Sequence, residues 1–265
     1  MKRISSIAAC VVIALVLVVM PSQAQLSYTT PNVVLEENFD SLPYTGTSSA
    51  WQDNVTLPGW FLVNSTGAVP TYIRIGNGSD NTGAFYSFGE TLSTERAFGG
   101  IGSGGAYFGS PSSGALAGYW GVKIKNETGL TLTNFTVIYD VEQWRDGGNT
   151  NAQPLISEWA IEPEGWLTAG WNFGASTDSP VHTSNASALN GNEPANRVAD
   201  VSFSSGSILW EPGQVLWIRF RELNDQGNDH GLAVDNFRLL AIPEPTVVSF
   251  GLLALGGLKF WRKRK

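Results

Sequence analysis

The chain is poor in the residues that most often carry catalysis or covalent bracing. Its 265 residues include one cysteine, two methionines and two histidines. The cysteine is Cys10, in an apolar stretch near the N-terminus, so residues 25–242, the body, have no disulfide available. A body of that length can bury one substantial core, and it must hold together by burial alone. Basic residues are scarce too. The body has nine against twenty-two acidic residues, a net charge of −13, whereas the whole chain carries −7. That balance excludes a basic nucleic-acid footprint, and no block of like charge marks an interaction tail. Long helical periods with caps at both ends are missing from the body. So are a G-x-S-x-G elbow, an H-E-x-x-H pair and a glycine-rich phosphate loop that opens a helix. The sequence therefore reads as a non-enzyme.

What is present is concentrated first at the two ends. Residues 243–245 read Pro243-Glu244-Pro245, followed by an apolar run over residues 246–258, Phe260, Trp261 and the basic tail Arg262, Lys263, Arg264 and Lys265. Thirteen residues rise roughly 20 Å as a helix against a hydrocarbon core of about 30 Å, and the aromatics extend the run into the interfacial zone. The basic tail stays cytoplasmic, which leaves the body on the far side. The two prolines keep that helix from running back into the body and leave an extended peptide open to processing. At the other end, Lys2 and Arg3 precede an apolar region over residues 7–20, and Ser22-Gln23-Ala24 is a small-x-small cleavage site that predicts a mature start at Gln25. An uncleaved N-terminal anchor and an ordinary C-terminal anchor are the plain alternatives.

The three-part C-terminus, Pro243-Glu244-Pro245, apolar helix and basic tail, resembles the PEP-CTERM sorting signal of Gram-negative, exopolysaccharide-producing bacteria. Lys259 inside the apolar stretch departs from the pattern, although its long side chain can reach the interface. The resemblance covers residues 242–265. It implies an exosortase-type partner that processes the chain at the tripeptide, a passing membrane attachment through the C-terminal helix, and a final place at the cell surface or in the extracellular or biofilm matrix.

The body reads as strand and turn. Segments of suitable composition lie at residues 33–39, 60–63, 71–75, 84–88, 106–109, 120–125, 135–142, 158–161, 198–203, 215–221 and 232–241. The clearest is 135–142, with Phe135, Val137, Tyr139 and Val141 on one face. Strands separated by turn signals and without intervening helices predict an antiparallel β-sandwich of the jelly-roll kind over residues 25–241, between a signal helix (1–24) and the sorting signal (242–265). Residues 175–195 predict a long surface loop, residues 165–173 a short helix or hairpin, and Gly99-Gly100-Ile101-Gly102-Ser103-Gly104-Gly105 a loop or bulge. The body also resembles a secreted β-domain found in bacterial extracellular proteins with the same tail. The shared stretches are residues 83–89, 94–99, 142–145, 217–219 and 229–236, and no activity comes with that likeness.

Three candidate sites remain. Asp225, Asn228 and Asp229 lie in an oxygen-rich segment that suits a calcium ion, though its spacing is not that of an EF-hand; a polar turn is the plain alternative. Trp51, Trp144, Trp166 and Trp171 lie near predicted loops and are candidate platforms for a sugar of the exopolysaccharide, with a place in the core as the alternative. Finally, Trp217, Arg219 and Arg221 share one face of a strand. If that face is covered, the arginines need acidic or aromatic partners, with Asp140 and Glu142 as candidates and Glu222 as a local one for Arg221, although neighbours on a strand point opposite ways. Of these readings, a structural or adhesive role comes first, a carbohydrate-binding module second and a secreted hydrolase third.

Overall fold

A computed structural model of the chain describes residues 25–244. The signal segment up to Ala24, Pro245, the apolar C-terminal run and the basic tail from Arg262 to Lys265 lie outside the described residues. Among the described residues there is no α-helix, and none long and apolar enough to cross a membrane. The strands, in chain order, are β1 (Leu26–Tyr28), β2 (Leu35–Glu37), β3 (Ser48–Ala50), β4 (Trp60–Asn64), β5 (Tyr72–Gly76), β6 (Ala84–Phe88), β7 (Ala97–Ile101), β8 (Ala115–Asn126), β9 (Leu132–Asp146), β10 (Pro154–Ile161), β11 (Asn172–Asp178), β12 (Ser187–Ala188), β13 (Arg197–Ser204), β14 (Val215–Asn224) and β15 (Gly231–Pro243). The protein is all-β, as its composition predicts.

The strands form two sheets. Sheet I runs β1–β8–β14–β10–β11, with β4 also paired to β8. Sheet II runs β12–β9–β15–β7–β6–β5–β3, with β13 on β9 and β2 on β15. Pairing is antiparallel except for β1–β8 and β5–β6. Alternation puts one face of each strand into the shared core. On β14, Leu216, Ile218 and Phe220 are fully buried, and on β9 Val137, Tyr139 and Val141 are too. The sheets meet ring to ring, with Tyr139 against Phe220 at 5.1 Å, Trp60 against Phe237 at 5.6 Å and Phe85 against Trp120 at 6.0 Å. Burying about 200 Å² in each core tryptophan contributes about 5 kcal/mol apiece, which is how a cysteine-free body stays folded.

Several expectations change. Residues 106–109 form one turn of 3-10 helix, Ala106–Phe108, closed by Gly109 at φ +80°. The first part of the glycine-rich stretch, expected as a loop or bulge, instead lies in β7, while residues 102–105 form the loop that follows it. Its glycines serve close approach: a Cβ on Gly99 would stand 2.0 Å from the Leu232 carbonyl oxygen of β15, and one on Gly100 2.4 Å from Glu222 Oε2. The predicted loop over 175–195 begins as a strand, because β11 pairs with β10 through Asp178. Residues 165–173 form turns leading into β11. The last strand also passes the expected boundary at 241, since Pro243 pairs with Leu132 at its end, where a missing N–H is tolerated. Tyr28 of β1 fastens the two sheets: its hydroxyl donates to Val33 C=O (2.8 Å) and accepts the Ala241 N–H of β15 (2.9 Å).

Candidate functional site

The outer face of sheet I is where sequence and structure converge. Alternation that sends Leu216, Ile218 and Phe220 inward sends Trp217, Arg219 and Arg221 outward. The register puts them beside Lys123, Gly121 and Tyr119 of β8 on one side and Ala160, Glu158 and Ile156 of β10 on the other. Phe61 of β4 pairs with Gly121 and continues the row.

The segment after β10 then folds back over this surface. Glu162, at φ +49°, starts the reversal, with its N–H donating to Val215 C=O (3.0 Å) and its carboxylate accepting the Val215 N–H (2.6 Å). Thr168 Oγ1 donates to Gly165 C=O (2.8 Å) and tightens the turn, and Gly170 at φ +91° reverses the chain again. The turn lays Trp166 and Trp171 onto the sheet. Trp166 needs a bare backbone beneath it. A Cβ on Gly121 would stand 2.9 Å from the Trp166 ring and 2.3 Å from Ile218 C=O.

The result is an aromatic patch. Trp166 lies 4.6 Å from Trp217 and 5.9 Å from both Trp171 and Phe61, measured between ring centres. All three indoles are half-buried, so each leaves part of its surface to solvent. Two cations are set into the patch. Lys123 Nζ sits 3.5 Å over Trp217 and 4.4 Å over Phe61. Burial pushes this ammonium down to about 8, while Asp53 and Glu162 act in the opposite sense. The Arg219 guanidinium lies between Tyr119 (3.9 Å) and Trp171 (3.8 Å), and it also donates to Trp166 C=O. Glu158 joins both arginines, accepting from Arg219 Nε (2.8 Å) and Arg221 (2.8 Å). Asp140 and Glu142, the partners suggested by sequence, cannot do so. They lie on the outer face of sheet II, across the sandwich. The Trp171 indole N–H and Arg221 Nε are buried and make no hydrogen bond.

Of the four expected sugar platforms, the structure gathers two, Trp166 and Trp171, and adds Trp217. The other two lie inside. Trp51 is 5% exposed, stacks on Phe98 at 5.2 Å, and has its indole N–H on Asp53. Trp144 is fully buried on the outer side of sheet II beneath the 189–196 segment, stacked on Phe88 at 6.2 Å. Neither presents a face. The oxygen-rich turn is closed by its own bonds: Asp229 Oδ1 accepts the Asp225 N–H (2.7 Å), and the Asn228 carbonyl accepts the Asn149 and Gln153 amides (both 3.1 Å). Of the sorting tripeptide, Pro243 ends β15, and Glu244 follows it, exposed and outside any strand.

Two hollows lie elsewhere, at the edge of sheet II. One of about 390 Å³ is lined by Tyr44, Arg74, Asp80, Glu90 and Arg96, and its neighbour of about 470 Å³ by Asn77, Thr91 and Asn190 among others. Their polar groups are largely spent on each other, as in Arg74 with Asp80, Asn77 with Thr91 and Asn190 with Glu90.

No protein-family model and no curated protein matches the chain. Among solved structures, it is similar in shape to the CBM22-1 xylan-binding domain of Paenibacillus barcinonensis Xyn10C, at 9% identity and a TM-score of 0.36, over 82% of this chain and all of that one. It is also similar to a CBM4 structure (10% identity, TM-score 0.35, 71% of this chain and 91% of that one). A third is the family 11 carbohydrate-binding module of Clostridium thermocellum (10%, 0.29, 76% and 99%). These are loose likenesses of shape, and the reading of the site comes from its own geometry.

Proposed function

We propose that this is an exported protein of the bacterial surface or extracellular matrix whose body binds carbohydrate through the outer face of sheet I. The observation that supports binding is the gathering of three half-buried indoles, Trp166, Trp171 and Trp217, on one sheet face, with charged side chains set among them. Sugar rings present flat C–H faces and a rim of hydroxyls. Indole surface takes the first, and Lys123, Arg221 and Glu158 are donors and acceptors for the second. A sheet face of this kind suits a chain of polysaccharide better than a buried monosaccharide.

Export and sorting rest on sequence. Cleavage between Ala24 and Gln25 and processing at Pro243-Glu244-Pro245 by an exosortase-type enzyme are part of the proposal, as is a passing membrane attachment held by the tail from Arg262 to Lys265. Mass spectrometry of the native product is the check. A mature N-terminus at Gln25 and a C-terminus at the tripeptide are expected, and a cytoplasmic chain that keeps both Met1 and Lys265 would overturn this half.

Binding is tested with the purified protein against a panel of soluble polysaccharides by affinity electrophoresis. Trp166→Ala and Trp171→Ala should each weaken the retardation about tenfold, the loss of one stacking partner, with the melting temperature recorded alongside. Retardation that is absent, or unchanged in both variants, sinks the carbohydrate reading. A purely structural or adhesive role is the second reading. It is favoured by the cations already seated on Trp217 and Trp171, which leave the patch complete without a ligand.

A further inference from the structure

Sheet II carries a different arrangement on its outer side. Glu142 of β9 projects there beside Trp144, and its strand partner on β15 is Ala233. Two residues on, Asp235 projects to the same side by alternation, and a bulge at Asn236 (φ +49°) then absorbs one residue so that Phe237 returns to the core. Glu95 comes from the segment entering β7, the next strand over. The three carboxylates thus converge from three neighbouring elements, each offering an oxygen within 4.8 Å of the others.

Acidic clusters are common on surfaces, but two of the three members here are interior. Glu142 is fully buried and Asp235 is 5% exposed. Each carboxylate has one oxygen held by an N–H donor: Glu142 Oε2 by the Trp144 indole (3.0 Å), Asp235 Oδ2 by the Asn236 amide (2.9 Å), and Glu95 Oε2 by the Asn192 amide (2.6 Å). The second oxygens of the two buried groups, Glu142 Oε1 and Asp235 Oδ1, are sealed from solvent without a hydrogen-bond partner. Among the described residues, no lysine, arginine or histidine stands within ion-pair distance of the three; Arg197, the cation that bears on Glu142, pairs with Asp140 at 3.8 Å. Burial, then the charges of Asp235 and Glu95, push Glu142 up to about 8. Carboxyl oxygens buried without a partner are costly, and a cation is what would let the three groups ionise together.

The geometry points to a binding site for one hard divalent cation, calcium by its size, held by Glu95, Glu142 and Asp235. Ligands of calcium stand at about 2.3–2.6 Å, so two of them lie up to about 5 Å apart, the span these oxygens cover. The amides of Asn192 and Asn236, which already touch two of the carboxylates, bring further oxygens within reach by turning over. Such an ion would bolt β9, β15 and the entry to β7 together. Through Asn192 and Trp144 it would also anchor the 189–196 segment that walls the hollow beside Glu90. The site is independent of the carbohydrate face and does not rest on it.

Terbium, a luminescent stand-in for calcium, provides the test, because Trp144 is placed to sensitise it. The full-length protein, stripped with EDTA, is titrated with terbium under indole excitation. One saturable equivalent of sensitised emission per chain, displaced by calcium, is the expected result. The Glu142→Gln/Asp235→Asn double variant should weaken binding at least tenfold, and Asp225→Asn/Asp229→Asn should leave it unchanged. Should the first double variant fail to fold, Glu95→Gln, altering a partly exposed side chain, gives the same reading. Folded protein without calcium-displaceable emission overturns the proposal. So does emission lost in Asp225→Asn/Asp229→Asn and kept in Glu142→Gln/Asp235→Asn.

Discussion

The two outer faces of the sandwich solve the same problem in opposite ways. Each sets tryptophan and ionisable side chains on the side of a sheet that alternation turns away from the core. On sheet I the charges are matched: Glu158 joins Arg219 and Arg221, and Lys123 rests on aromatic rings. The surface stays partly open. On sheet II the aromatic residues Tyr86, Phe88 and Trp144 stack and are sealed, and the acids among them have no cation. A matched, half-open surface is equipped to meet something outside. A sealed, unmatched one is equipped to hold something inside.

One chemical change applied to both faces tests this contrast most strongly. Glu158→Gln removes the anion between two guanidinium groups and should destabilise by about 3 kcal/mol in a denaturant titration, since Arg219 is buried. Above about pH 8, where Glu142 is ionised, Glu142→Gln removes the same charge from sheet II and, in EDTA, should raise the melting temperature by relieving repulsion among three acids. Equal signs would erase the distinction. Next in size is Gly121→Ala, which should cost about 1–3 kcal/mol by driving a methyl into Trp166 and Ile218 C=O; a neutral result would mean the 162–171 turn does not lie on β8.

A smaller effect is expected from pH. Lys123 has a folded-state value of about 8, below its ordinary value of 10.5. The unfolded chain therefore binds more protons between those values, and stability should rise as pH climbs from 8 towards 10.5. Lys123→Met should flatten that rise, as read from melting curves across the range. The smallest change belongs to Lys125 and Glu127, an exposed pair at 3.1 Å. Glu127→Gln should leave the denaturation curve within error of the parent protein, setting the noise floor for the other comparisons.

Local pattern carries much of this architecture. The alternation in Phe135-Thr136-Val137-Ile138-Tyr139 and in Leu216-Trp217-Ile218-Arg219-Phe220 makes the inward faces of β9 and β14 readable residue by residue. It also flags Trp217, Arg219 and Arg221 as an outward set in need of partners. The partners themselves are not legible, because Glu158 and Tyr119 reach Arg219 only through the strand order β8–β14–β10, a long-range fact. β7 hides behind its glycines, which read as a loop until the approach of Leu232 and Glu222 is seen. Trp51 and Trp144 mislead for a related reason: nearness to a turn in sequence says nothing about what packs over the ring. The Glu95, Glu142 and Asp235 cluster joins residues about fifty and ninety positions apart, and the only hint in the chain is two acids placed where strands should be apolar.

The Tyr28–Ala241 fastening has a mechanical side. Pulled through its C-terminus, the body would take the load along β15, whose neighbours β9, β7 and β2 bond it at right angles to the pull. Those bonds must shear together instead of unzipping singly, and the Tyr28 hydroxyl couples the strain to the opposite sheet before the first of them yields. A domain tethered at that end in moving water would resist traction best along the direction in which its tether pulls.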